Sequence, residues 1–347
     1  MTIQLEPNQS NSSWKVAPHG MLARIFLAFL TTAGIFYINI MPALVSGLKE
    51  GLEFTNQQAG FISSANLYAA AAGALSAVFL VKHIQWKTWA YVLLIALLCI
   101  DFASMHIVSA NVMIGVRAIH GLVGGLLVGI GFAVISRTTD ADKTFGYLLL
   151  IQWGLGGLGI MYLPGLVPEY GTSALFTSLM TFTLVTLLML PFLPLYAIAK
   201  VDPLAPLPAK IRRVPLVLNL FAIFLFQAAN MGLFAFIIGL AKAEGLTIDF
   251  ISPALAAGSW IALFGSMLVI IIGTKYGRTL PLLASIVLTA ICSWLLIFSE
   301  IPMVYLLANI VIGITWAFAL PYMFGICSEL DKAGQLAALG GFASKMG

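Results

Sequence analysis

Charge is what this sequence lacks most. Asp, Glu, Lys and Arg make up 9% of its 347 residues and hydrophobic residues 61%, where soluble domains carry about 25% charged residues. So little polar surface cannot cover a water-exposed exterior, and the mean hydropathy of +1.03 says the same. A soluble fold is excluded, and the lipid bilayer becomes the first expected partner. Cysteine is scarce too. Cys99, Cys292 and Cys327 all fall in apolar runs without paired spacing, so neither a disulfide framework nor a metal site is expected. The four histidines, His19, His83, His106 and His120, come with no HExxH or CxxC. GxSxG, a Walker-type glycine loop and H-x-E…C-x-x-C are missing as well, which removes the common enzyme classes and their cofactors. No nucleic-acid partner is expected. A short cleavable signal is also missing: twenty polar residues, MTIQLEPNQSNSSWKVAPHG, lead into a full-length apolar span.

What is present is a series of apolar runs. A span needs about 20 apolar residues, which predicts helices near 21–47, 57–81, 88–107, 112–136, 145–166, 173–197, 214–241, 251–273, 280–298 and 303–327. An eleventh starts near Ala333. The expected architecture is therefore an all-α membrane protein with ten whole spans and the start of another.

Basic residues in the connections set the orientation. With the N-terminus inside, the inner segments hold Lys15, Arg24, Lys82, Lys87, Arg137, Lys143, Lys200, Lys210, Arg212, Arg213, Lys275, Arg278 and Lys332. The outer ones hold Lys49 and Lys242. That bias predicts a cytoplasmic N-terminus in the plasma or inner membrane. Residues 1–20 then form a cytoplasmic tail, 21–197 a first bundle of six spans, and 198–213 a proline-rich basic linker. Residues 214–347 form a second bundle. A weak repeat supports the division: GLEFTNQQAGFISSAN at 51–66 and GLTIDFISPALAAGSW at 245–260 both lead from an outer loop into a span. Their 194-residue shift also carries the fourth span onto the tenth. Matched halves around a midplane site are the layout of a transporter. By that symmetry the second bundle lacks most of an eleventh span and a twelfth, so the chain reads as C-terminally incomplete.

Two charges lie inside spans, where charge is expensive and functional by default. Arg117 sits about 8–9 Å below the outer turn at Ser109, and Asp101 roughly 12 Å below the same turn, at 1.5 Å per residue. In an antiparallel hairpin the two lie level, which predicts an Asp101–Arg117 pair. His120 lies one helical turn from Arg117 on the same face, and histidine is the residue type whose reference pKa, about 6.5, suits proton exchange near neutral pH. Gly121, Gly125 and Gly129 recur every fourth residue and form a smooth strip for close helix packing. Asp142-Lys143 and Asp331-Lys332 read most simply as solvated turns with local ion pairing.

The run Arg117-x-x-His120-Gly121-x-x-Gly124-Gly125 is similar to the fourth-helix motif of the major facilitator superfamily, with His120 where glutamine is usual. The family's loop between helices two and three is eroded here to VKHIQWK at 81–87, while its second-half counterpart, GTKYGR at 273–278, keeps a glycine and an arginine. The chain resembles that superfamily along its whole length. The resemblance implies two six-helix bundles around a cavity lined by the first, fourth, seventh and tenth helices. Tyr37, Asn39, Gln227, Asn230, Asn309 and Trp316 fall on those helices beside Arg117 and His120, and Asn66, Gln152 and Trp153 are polar or aromatic residues in neighbouring spans. It also implies that cytoplasmic charge contacts could latch the halves, an alternative for the Asp-Lys turns. The function expected is a monomeric secondary active transporter, moving a small-molecule organic substrate by alternating access with protons as the coupling ion. The alternatives are a facilitative uniporter without ion coupling and a non-transporting membrane sensor or scaffold.

Overall fold

The apolar runs fold as α-helices throughout. The computed structural model describes residues 15–196, 213–331 and 334–346, and no strand occurs among them. The expected linker and most of the expected N-terminal tail lie outside the described residues. The helices are α1 Met21–Ala33, α2 Phe36–Asn39, α3 Met41–Leu52, α4 Asn56–Leu80, α5 Trp86–Ser104, α6 Ala110–Ile135, α7 Ala141–Tyr170 and α8 Ser173–Met189. After the undescribed segment come α9 Arg213–Ala243, α10 Ile248–Ile261, α11 Leu263–Ile272, α12 Thr279–Leu295, α13 Pro302–Leu330 and α14 Gln335–Met346. Eight segments among the described residues are long and apolar enough to cross a membrane.

The first apolar run departs from a single helix. It is broken after Ala33 and again at Ile40. At Gly34 the backbone comes so close to α6 that a Cβ would sit 2.3 Å from the Gly124 carbonyl oxygen. Pro42 then stands in the first turn of α3, where its missing N–H costs nothing. In contrast, α10 and α11 are separated only by Ala262, which keeps right-handed helical angles (φ −55°, ψ −24°), so they run on as one rod. The start of α4 is fixed by a capping box: the Gln58 N–H donates to Thr55 Oγ1 at 3.2 Å, and the Thr55 N–H donates to Gln58 Oε1 at 2.9 Å.

The glycine strip packs α6 onto α4. A Cβ at Gly121 would lie 2.1 Å from the Asn66 carbonyl oxygen, and one at Gly125 would lie 1.9 Å from that of Ala70. At Gly129 it would meet the Ala77 Cβ at 2.3 Å. Both helices belong to the first half of the chain, so this close seam joins neighbours within that half. It is no sliding surface between the halves.

The two ends of the molecule differ. At the end carrying Arg24, Asp140 and Arg278, here called the basic end, one apolar core runs through both halves. There Phe324 of α13 packs against Phe132 and Phe145, with ring centroids 4.8 and 5.2 Å away. At the opposite end the second half has a separate core built on Ile237, Ile251, Leu296 and Tyr305. The halves are thus welded at the basic end and packed independently at the other. Phe79, Val92, Phe102, Ile119, Leu188, Phe221, Ile271 and Ile297 are among the many large apolar side chains on the outer surface. A bilayer covers such a surface.

Candidate functional site

Two groups of polar side chains lie at the depth of the membrane core. The first is enclosed within the first half. Arg117 Nη1 donates to Asp101 Oδ1 at 2.8 Å, and the two side chains are 0% and 1% exposed. The hairpin explains the meeting, since α5 and α6 are antiparallel and the Ser109 cap lies midway between the two residues. Arg117 also donates to the Ser104 hydroxyl, and its guanidinium lies 5.7 Å from the Tyr37 ring centroid and 5.1 Å from that of Phe176. These rings supply cation–π attraction where water is absent.

His120 joins through Asn66. The Asn66 amide nitrogen must donate to the Arg117 carbonyl oxygen, 3.1 Å away, because an amide oxygen could not. The same nitrogen therefore donates to His120 Nδ1 at 2.9 Å. That leaves the ring proton on Nε2, which faces Asp101 Oδ1 at 3.5 Å. One carboxylate oxygen thus faces both an arginine and an imidazole N–H, while Asp101 Oδ2 has no hydrogen-bond partner among the described residues. Tyr37 closes the group, its ring 5.6 Å from that of His120.

The second group spans the halves. Trp153 of α7 and Trp316 of α13 meet edge to face, 5.5 Å between centroids. Trp316 Nε1 donates to Gln227 Oε1 at 2.6 Å, and Gln227 Nε2 donates to Ser344 Oγ of α14 at 2.9 Å. Against the two indoles lies a small pocket of about 40 Å³, also lined by Asn230, Ser259, Asn309 and Gly313. Asn230 and Asn309 each donate to a carbonyl one turn back in their own helix. Asn230 Oδ1 is buried and has no partner among the described residues. The pocket has no carboxylate in its lining.

Of the cavity residues expected from sequence, Trp153, Asn230, Asn309 and Trp316 line this pocket, and Gln227 stands directly behind it. Tyr37 and Asn66 belong instead to the Asp101–Arg117 group. Asn39 donates to the Gln152 carbonyl at 3.4 Å and ties α2 to α7. Sequence reasoning missed Ser104, Phe176 and Ser344, whose types are too common inside helices to signal anything.

The basic end corrects one expectation. Asp142 is not on a solvated turn: its side chain is 5% exposed and takes two bonds from Arg278, Nε to Oδ1 at 2.8 Å and Nη2 to Oδ2 at 2.9 Å. Arg278 also pairs with Glu329. The hydrogen bonds that Arg278 donates to Asp142 raise its guanidinium above the ordinary pKa, against its burial, which lowers it. The reason is tertiary. The first turn of α7 faces the α11–α12 connection across the join between halves, so the local lysine, Lys143, is not the partner. Asp331 Oδ2 accepts from the Gln335 N–H at 2.9 Å at the start of α14, while Lys332 lies outside the described residues. In the first half, Arg24 donates to Asp140 at 2.8 Å, and that bond holds the carboxyl below the usual carboxylate range.

The described residues thus form a bundle of apolar helices that encloses a buried Asp101–Arg117 pair and a small pocket at Trp153 and Trp316. The family described as Major Facilitator Superfamily matches residues 25–347. The chain belongs to the major facilitator superfamily. Solved structures of superfamily transporters share the fold at low identity. One is FucP in the outward conformation, with a TM-score of 0.71 at 14% identity, covering 96% of this chain and 89% of that one. The human organic anion transporter MFSD10 (TETRAN) gives 0.67 at 14% identity, with 94% and 90% covered. The proton:xylose symporter XylE, bound to 6-bromo-6-deoxy-D-glucose, gives 0.65 at 14% identity, with 94% and 85% covered. No curated protein matches the chain. As a superfamily member this is a multi-pass membrane protein of the transporter class.

Proposed function

We propose that this superfamily member is a secondary active transporter that moves a small organic solute by alternating access. The observation that carries the reading is the meeting of the halves at the two indoles, where Trp153 of the first half closes a pocket otherwise lined by the second. A site shared in this way is remade whenever one half rocks against the other. The Asp142–Arg278–Glu329 cluster and the shared core at the basic end serve as the closed gate, and the separately packed opposite end is the open side.

In this reading α1–α3 form one span, α10 and α11 another, and α14 begins an eleventh after ten whole spans. Residues 21–197 and 214–347 are the two bundles, and the basic end faces the cytoplasm of a plasma or inner membrane, following the basic bias of the connections. The protein works as a monomer. Proton coupling falls to Asp101, Arg117 and His120. Support comes from the single Asp101 oxygen that faces both the Arg117 guanidinium and the His120 Nε2–H.

The test uses purified protein in liposomes, with a solute found by a thermal-shift screen of metabolites. Asp101→Asn is expected to abolish accumulation against a gradient while retaining exchange between equal pools. Undiminished uphill uptake in that variant would refute the coupling role, and absence of flux for every stabilising solute would refute transport.

A further inference from the structure

One cavity of the first half takes no part in the proposed transport. It measures about 420 Å³ and lies at the basic end, where α5 begins. Small-molecule sites are typically of roughly 300–1,000 Å³. Lys87 and Arg137 line it, and its lining holds no carboxylate. Backbone carbonyls fix each cation. Lys87 Nζ donates to those of Pro191 and Leu193 at 3.0 and 2.7 Å, and Arg137 donates to those of Tyr196 and Val81 at 3.0 and 3.2 Å. These acceptors hold the donors in place but carry no charge. Lys15 is near enough for its own charge to act on Lys87. Asp331 of the second half acts on Arg137, but it is not part of the lining.

Two further sets of donors meet in the same wall. Trp86 lines the cavity and is 5% exposed, and its indole N–H is buried with no hydrogen-bond partner among the described residues. A buried indole N–H usually has one. The helix start supplies the other set. Gln85 caps α5 without a side-chain hydrogen bond, and the first backbone bond of the helix runs from the Trp89 N–H to the Gln85 carbonyl. The N–H groups of Trp86, Lys87 and Thr88 therefore have no partner in the helix ladder, and a helix N-terminus in this condition favours anions. Residues 85–88 all line the cavity. Two cations, an indole N–H and a helix start around one space suit an anion with several acceptor oxygens, as phosphate has.

We propose that this cavity is a phosphate-binding site, in which the phosphate of a small organic ester or of a phospholipid headgroup sits at the start of α5. Its oxygens accept from the Trp86 indole N–H, the Lys87 ammonium, the Arg137 guanidinium and the first-turn backbone N–H groups. Lys87 keeps a donor for it, because an ammonium has three and the carbonyls take two. Trp86 opens the apolar span of α5, which sets the site at the depth of lipid headgroups. The site stands apart from the pocket at Trp153 and Trp316 and does not rest on transport.

The experiment follows thermal unfolding of the full-length protein in detergent by circular dichroism at fixed ionic strength. The soluble probes are inorganic phosphate and glycerol 3-phosphate, with sodium chloride as their control. The lipid probe is dioctanoyl phosphatidylglycerol, with dioctanoylglycerol as its phosphate-free counterpart. At least one phosphate probe is expected to raise the melting temperature, and neither control should. A response to the lipid alone assigns the site to a headgroup, and a response to the soluble probes assigns it to a free phosphate. Either result supports the site. Lys87→Gln should weaken the apparent affinity about tenfold or more, the loss expected of a charge-assisted hydrogen bond. Lys87→Arg should keep most of it. Trp86→Phe keeps an aromatic ring and removes the N–H donor, so it should fold and weaken the response severalfold. Lys49→Gln, in the last turn of α3 at the opposite end, should change nothing. No response to any phosphate probe would overturn the proposal. So would equal stabilisation by the controls, an unchanged response in Lys87→Gln or Trp86→Phe, or an equal loss in Lys49→Gln.

Discussion

Asp101 and Arg117 are each tolerable in the membrane only because of the other. Removing one partner of a buried pair leaves an uncompensated charge and costs about 3–5 kcal/mol. Asp101→Leu or Arg117→Met alone should therefore lower the melting temperature sharply. Replacing both should recover much of the loss, since a well-packed apolar pair often matches a buried ion pair. A double variant as unstable as the worse single one would show that Ser104, Tyr37 and Phe176 need the guanidinium for packing. The charges at the basic end behave differently. The depressed Asp140 carboxyl contributes stability that is present above its ordinary value and lost as pH falls through the lowered one. Arg278, raised by Asp142, contributes stability that is lost only as pH rises through its raised value. Neither contact should change between about pH 5 and 8. Comparing the parent with Asp140→Asn across about pH 2–8, a range that extends well to either side of the ordinary carboxylate value, should show the two curves converging only at the acid end.

At the scale of helices, the α4–α6 seam depends on the absence of side chains. Gly125→Ala would place a methyl 1.9 Å from a backbone oxygen, which no rotamer change relieves. The helices must part, and a loss of folded yield is expected, measured by gel filtration after solubilisation. Gly60 lies in the same α4 with nothing within 4 Å of its would-be Cβ. Gly60→Ala should be neutral or stabilise by about 0.5–1 kcal/mol, the helix preference of alanine over glycine. Equal damage from both substitutions would mean that seam distance is not what the glycines provide.

For the whole molecule, the balance between the two ends is the quantity that matters. Arg278 alone bridges Asp142 of one half and Glu329 of the other, so Arg278→Gln removes both contacts. Distances between spin labels placed across the basic end should lengthen or broaden in that variant, and those across the opposite end should shorten. Cys99 is exposed and must first be replaced so that labelling stays specific. Unchanged distances at both ends would locate the gate in the Phe132–Phe145–Phe324 packing instead.

How much of this was legible beforehand depends on how local each feature is. Span positions follow from runs of apolar residues, and the level meeting of Asp101 with Arg117 follows from a fixed rise per residue on either side of one short turn. Chain reading reaches that far because both are properties of contiguous segments. The partner of Asp142 lies 136 positions away, and the chain offered it a lysine next door. Trp153 and Trp316 were visible as aromatics in spans, but nothing along the chain says that they touch. The glycine strip announced a close contact without naming α4. The sequence by itself determined that the chain lies in a membrane, where its helices run and which charges lie deep. Only the tertiary structure decided which helices share a face. That choice rests on shape and on the pairing of buried polar groups between segments far apart along the chain, which no local periodicity encodes.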